Sequence, residues 1–265
     1  MTRHAPRPRA ALMLALGLTA GAMFPARAET PDVWPEISRD LFPGKSVGLD
    51  QTAIALEAPT RAEDAAIVPM TLRFKDDGVR RATLVIDQNP MPMAAAFEIG
   101  PNAGVSFIET RVRVNSYTNV HAVAETGDGS LRAEVKFVKA AGGCSAPAGK
   151  NMDEAAANLG KMKYREFTTQ SPGKREAQIM IRHPNASGMQ MDQVTHLYIP
   201  AHYVEKVEVR QGADLIFSME GGISLSEDPV FRFDYKPNGA KTISVEARDS
   251  KGAVFKGEWP IGDAS

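Results

Sequence analysis

The sequence predicts an all-β protein: two β-sandwich domains joined by a linker that carries a short helix. Three observations lead there. Short runs with the period of two expected of half-buried strands recur from residue 53 to residue 259. Turn formers separate them, among them Gly127-Asp128-Gly129, Gln211-Gly212 and Lys236-Pro237-Asn238-Gly239. Between two groups of such runs lies a stretch, residues 146–174, that is polar in its second half and contains Pro172-Gly173, the composition of an interdomain linker.

In chain order, residues 1–28 read as a secretory signal peptide. Arg3, His4, Arg7 and Arg9 precede an apolar run over 10–24, and Ala26-Arg27-Ala28 is a small-x-small cleavage site. The run is shorter than the roughly 20 residues of a membrane-spanning helix. No later segment qualifies, so no membrane insertion is expected, and the leader implies export. Residues 29–45 are peripheral, with Trp34, Ile37 and Leu41 at the spacing of a short helix lying on the body. Strands are expected over 53–56, 68–74, 82–86, 94–99, 105–114, 120–125 and 131–138. In the last of these, Leu131, Ala133, Val135 and Phe137 should face the core, and Arg132, Glu134 and Lys136 the water.

Past Gly149, Asn151 is placed to cap a helix over 152–159, with Asp153 and Glu154 in its first turn and Gly160 at its end. The second module then reads as strands over 176–182, 196–200, 204–210, 214–219, 230–235, 242–247 and 253–259. Seven short strands with regularly spaced turns fit an immunoglobulin-like or fibronectin III-like sandwich. Phe231, Phe233 and Tyr235 give it an aromatic core face.

Charge and composition exclude several functions. Without the leader's four arginines, 31 minus 4 leaves 27 basic residues against 32 acidic ones, a balance of -5. Phosphate binding needs clustered positive charge, so nucleic acid is not an expected partner. No glycine-rich phosphate loop or dinucleotide fingerprint is present, and no cofactor is expected.

The chain has one cysteine. Cys144 sits in Ala140-Ala141-Gly142-Gly143-Cys144-Ser145-Ala146-Pro147-Ala148-Gly149, where every neighbour is small. An exported chain with a single thiol cannot close an internal disulfide, which leaves an intermolecular bond or a reactive sulfur. Gly142, Gly143, Ser145, Ala146 and Gly149 are expected to form a pliable arm that displays Cys144 for covalent attachment of a substrate. Held at Val138 and Met152, such a loop carries its midpoint roughly 15 to 20 Å out, at about 3.3 Å per extended residue. A hydrolytic role would need a base held close to Cys144, and His121, His183, His196 and His202 are the candidates, none singled out by spacing. Catalytic residues are therefore not assigned. His183, Met189, Met191, His196 and His202 are soft ligands of the kind that hold copper, but their spacing matches no closed site, and no metal site is expected. Asn185-Ala186-Ser187 matches the glycosylation pattern, a short signal that carries no weight alone.

The run from Ala82 to Pro90 (ATLVIDQNP), then Ala94-Ala95-Ala96-Phe97, Arg111-Val112-Arg113-Val114, the run from Val120 to Glu125 (VHAVAE) and Gly142-Gly143-Cys144 together resemble SoxY, a sulfur-carrying subunit of sulfur oxidation. His183-Pro184 with the loop to Gly188, the hairpin over 204–219, and Asp228-Pro229 leading into Phe231-Arg232-Phe233 resemble SoxZ. The order is that of the fused SoxYZ-like carriers associated with quinoprotein dehydrogenases. The resemblance implies a SoxY-like immunoglobulin-like domain over 29–145 ending in the Gly-Gly-Cys arm, a linker over 146–174, and a SoxZ-like fibronectin III-like domain over 175–265. It implies a periplasmic carrier, not an enzyme, that holds a sulfur or other thiol-reactive intermediate on Cys144, as in thiosulfate oxidation. Its partners would be periplasmic redox enzymes or cytochromes acting on the Cys144 adduct, a quinoprotein dehydrogenase among them. The alternative is a non-catalytic accessory protein docked on such a dehydrogenase; copper handling ranks behind both. The sequence departs from SoxY in replacing the second glycine pair with Ser145-Ala146 and continuing for more than a hundred residues.

Overall fold

The computed structural model describes residues 1–2, 32–147, 149, 152–169 and 171–262; the expected signal peptide and the Asn151 cap lie outside them. The chain from Pro31 onward forms one unit. It is nearly all β. Its first half runs α1 (Trp34–Leu41), β1 (Val47–Leu49), β2 (Ile54–Glu57), β3 (Val68–Phe74), β4 (Val79–Ile86), β5 (Met93–Ile99), β6 (Phe107–Val112), β7 (Thr118–Thr126) and β8 (Leu131–Val138). Its second half runs α2 (Met152–Asn158), β9 (Met162–Phe167), β10 (Arg175–Ile181), β11 (Val204–Gln211), β12 (Asp214–Gly221), β13 (Val230–Tyr235), β14 (Thr242–Asp249) and β15 (Val254–Pro260).

Both halves are sandwiches, and both of their sheets run on from one half into the other. The nine-stranded sheet has the order β1-β8-β7-β4-β5-β12-β11-β14-β15, and the six-stranded sheet β2-β3-β6-β13-β10-β9. The junctions are antiparallel: Met219 of β12 lies opposite Phe97 of β5, and Phe233 of β13 opposite Ile108 of β6. Pairing at these seams satisfies backbone groups that two separate sandwiches would leave as open edges. The core is continuous as well. Phe97 from the first half stands edge-on to Phe217 and Phe231 of the second, at ring-centroid distances of 6.0 and 6.3 Å, and Phe217 meets Phe233 at 5.0 Å.

Three expectations are corrected. The polar stretch after Gly160 contributes an edge strand, β9, which pairs with β10 along its whole length; its apolar Tyr164 stacks on Trp259. Residues 196–200 are not a strand but part of a hydrogen-bonded loop, with a single isolated bridge between Met191 and Tyr198. In β8 the simple alternation fails because both faces of the strand are covered. Leu131 and Ala133 face outward beneath Trp34 and Phe42 of the α1 segment, in a small second core with Val123. Glu134 is buried instead, accepting the Leu56 N–H at 2.7 Å and the Lys136 ammonium at 2.6 Å, while Phe137 is exposed. Burial raises the Glu134 pKa, but Lys136 and the Leu56 N–H outweigh it, so the carboxyl ionises more readily than usual. Asn185 of the glycosylation pattern is fully buried, donating to Leu225 O and accepting from Val204 N.

Candidate functional site

Strand β8 ends at Val138, and the chain then lies beside residues 60–62 through Lys139, whose N–H donates to Thr60 O and whose carbonyl accepts from Ala62 N. Two backbone bonds seat the glycine pair beyond it. Gly142 N donates to Asn115 O at 2.8 Å and Gly143 N to Val114 O at 3.1 Å, just past the end of β6. A turn then closes with Ser145 N donating to Gly142 O at 3.2 Å. Gly142 has φ +78, in the left-handed region that favours glycine. Gly143 is needed for a different reason. A Cβ there would lie far inside contact distance of Ala65 O and 2.7 Å from Val114 O, so only a bare Cα fits.

The expected displayed arm is thereby corrected. Cys144 has no exposed surface; of the five expected arm residues Gly143 is buried, Gly142 and Ala146 are half-buried, and Ser145 and Gly149 are exposed. The glycine pair serves a tight turn and a close backbone approach in this conformation, not slack. The second half of the chain provides the lid. Ser187 Oγ donates to Cys144 O, Gln190 Nε2 to Ala146 O at 2.9 Å, and Gly149 N to a Glu227 carboxylate oxygen at 2.8 Å.

Arg113 joins the two halves at this point. It is 1% exposed, and its guanidinium donates from Nη1 to Gly143 O at 3.2 Å and from Nη2 to Asn185 O at 3.4 Å, while Nε has no partner. It is the one arginine or lysine among the buried polar residues described. Burial lowers its pKa, opposed by the negative charge of an ionised Cys144. Burial likewise pushes the Cys144 thiol up, partly offset by Arg113. The seated sulfur is therefore protonated at neutral pH and shielded from reagents, beside a cation that would favour its anionic form. Nothing in the periodicity of Arg111-Val112-Arg113-Val114 marks Arg113 as buried, and Ser187 and Gln190 carry no sequence signal beyond belonging to the loop after His183-Pro184.

The histidines considered as bases or copper ligands are committed elsewhere. His121 Nε2 pairs with Asp87 at 3.1 Å, and its ring stacks on Trp34 at 3.6 Å. His196 is exposed on a loop tip. His183 and His202 do meet, with Asp249, their ligand atoms all within 4.8 Å. His202 Nε2 is 2.7 Å from Asp249 Oδ2 and His183 Nε2 is 3.6 Å from the same oxygen. The donor set does not suit a metal: Asn185 N–H donates to His183 Nδ1 at 3.0 Å, which leaves the ring proton on Nε2, the atom facing the cluster. The three residues pin the loop that covers Cys144 to the end of β14.

This pin predicts a pH dependence. Burial, reinforced by His202, pushes the His183 pKa down to about 4. A histidine held neutral in the fold contributes stability that is complete above its unfolded value of about 6.5 and is lost progressively as pH falls from there through about 4. Urea unfolding at pH 7.5 and 4.5 is expected to show a loss of up to about 3 kcal/mol from this group. His183→Asn, which keeps an acceptor for the Asn185 N–H, should flatten the profile; an unchanged slope would contradict the assignment.

Residues 39–144 match the family model of the sulfur oxidation protein SoxY, ending on Cys144, and residues 164–260 match that of the sulphur oxidation protein SoxZ. Among solved structures, the sulfur carrier protein SoxY from Chlorobium limicola f thiosulfatophilum is 27% identical over 40% of this chain and 89% of its own, with a TM-score of 0.36. A beta-glycosidase from Bacteroides vulgatus is 8% identical over 80% of this chain and 25% of its own, with a TM-score of 0.26. No curated protein matches the chain.

Proposed function

The chain belongs to the SoxY and SoxZ sulfur-oxidation families, joined in one polypeptide, and from this premise we propose a periplasmic carrier that holds a sulfur intermediate covalently on Cys144. The observation that carries the reading is the position of the single cysteine: it is the last residue of the SoxY match and sits under a lid supplied by the SoxZ half. The cargo bond is a bond from Cys144 Sγ to a second sulfur. Forming it from a thiol and a reduced sulfur species releases two electrons, the thiol proton and any proton carried by the incoming sulfur, so loading requires a partner that accepts electrons: a periplasmic redox enzyme or cytochrome, a quinoprotein dehydrogenase among the candidates. The carrier itself catalyses nothing in this reading.

Two conformations divide the work. Seated, the thiol is protonated and covered; unseated, it returns to its ordinary pKa of about 8.5, where a few per cent is thiolate at pH 7, enough for loading inside a partner. Because the turn is tethered at both ends, it enters a partner as a loop. Among the described residues no helix is long and apolar enough to cross a membrane.

Intact-mass measurement of the protein recovered from its native host during growth on a reduced sulfur compound tests the proposal. A mass increment is expected that localises to Cys144, is removed by a thiol reductant, and is missing in Cys144→Ala. A consistently unmodified thiol, with Cys144→Ala growing as the parent does, would falsify it.

A further inference from the structure

Among the described residues ten large apolar side chains stand out as exposed, and six of them, Ile67, Tyr117, Met191, Val194, Leu197 and Tyr198, flank one place. They come from three segments distant in sequence, each of which touches the Cys144 turn. Ile67 lies two residues past Ala65, whose carbonyl packs on the Gly143 Cα. Tyr117 lies two residues past Asn115, whose carbonyl receives the Gly142 N–H. The other four come after Gln190, which donates to Ala146 O.

The last segment is built to hold its side chains outward. Asp192 Oδ1 accepts from the backbone of Val194 and Thr195, at 3.0 and 2.7 Å, and from the Thr195 hydroxyl. Asp192 N donates to Leu197 O, His196 N to Asp192 O, and Ile199 N to Gln190 O. His196 takes φ +56, a left-handed conformation uncommon outside glycine, within this hydrogen-bonded tip. Val194, Leu197 and Tyr198 are exposed to 87%, 69% and 67% on this closed tip. A hydrogen-bonded loop that points three large apolar groups at water gives up burial worth about 1.5–3 kcal/mol for each. Such a cluster marks an interaction site.

We propose that this surface is the docking face for the enzyme that acts on Cys144, a protein whose active-site opening is rimmed by apolar side chains and receives the turn. The identity of that occupant rests on the carrier reading. A second copy of this chain fits less well, because a symmetric dimer over the face would cover the turn that must leave its seat. An anionic lipid surface fits less well with the acidic balance of the exported chain.

Photo-crosslinking in the native host tests this, with p-benzoylphenylalanine placed at Leu197 in one strain and at exposed Ser145 in another. The same exported enzyme, identified by its peptides, is expected from both positions, attached at residues around its active-site opening. Val194→Asp combined with Tyr198→Asp should lower the Ser145 product about tenfold, with an unchanged thermal unfolding midpoint because both side chains are exposed. Capture of a second copy of this chain alone, of different proteins from the two positions, of nothing, or an undiminished product in the double variant would each overturn the docking face. Cys144→Ser separates the two readings. If capture persists in it while Cys144 of the parent never carries an adduct, the docking face stands and covalent carriage falls.

Discussion

Gly143→Ala is expected to convert Cys144 from a protected thiol into a reactive one. A methyl group at that position collides with the carbonyls of Ala65 and Val114, and both belong to backbone that cannot move without disturbing the end of β6. Overpacking of this kind costs about 1–3 kcal/mol. The seated turn has little else to yield, so the strain appears as a shift toward the open turn. Since 1.4 kcal/mol is a factor of ten, alkylation by iodoacetamide, which reaches a fully buried sulfur only through opening, should accelerate by about 10- to 100-fold. Time-resolved intact mass gives the rate. The thermal unfolding midpoint should change little, because opening of the turn relieves the strain while the continuous core keeps its packing. Gly142→Ala, strained by its φ of +78 but meeting only Ser145 Oγ at 4.0 Å, should do the same to a smaller extent. Equal alkylation rates for the parent and Gly143→Ala would show that the turn is not held by this approach.

Arg113→Met should separate the two jobs assigned to the guanidinium. The methionine fills most of the volume, so the cavity is small, but Gly143 O and Asn185 O lose their donors. An unsatisfied buried group costs about 1–3 kcal/mol, and removing a buried cation that lacks a paired carboxylate offsets part of the loss. A net destabilisation of about 2 kcal/mol is expected in urea. The thiol responds in a definite direction. Arg113 lowers the Cys144 pKa against the effect of burial, so its removal raises the pH at which absorbance at 240 nm reports thiolate. Unchanged stability would mean that desolvating the guanidinium costs as much as its bonds return. An unchanged thiol titration would place Arg113 outside the electrostatics of the sulfur.

Much of the architecture was legible because it arises from local chemistry. The strands β3 and β13 lie where the alternation of apolar and polar residues puts them, and α1 lies where Trp34, Ile37 and Leu41 share a face. The aromatic face of Phe231, Phe233 and Tyr235 is fully buried, as its period demands. The misses share a cause. Strand β9 is an edge strand whose charged residues face water, so its composition reads as linker. Residues 196–200 look like a strand because apolar residues cluster there, but the cluster faces outward from a loop.

The single cysteine, its small neighbours and its place after β8 were fixed by the sequence alone, as was the order of the SoxY and SoxZ halves. Only the tertiary structure decided that both sheets continue through the two halves and that the Gly-Gly-Cys turn is seated and covered. Flexibility inferred from glycine is a statement about what the backbone is allowed to do. Whether a segment moves or packs depends on what approaches it, and here the approaching groups are the carbonyls of Ala65 and Val114, the guanidinium of Arg113, and Ser187 and Gln190 from the other end of the chain.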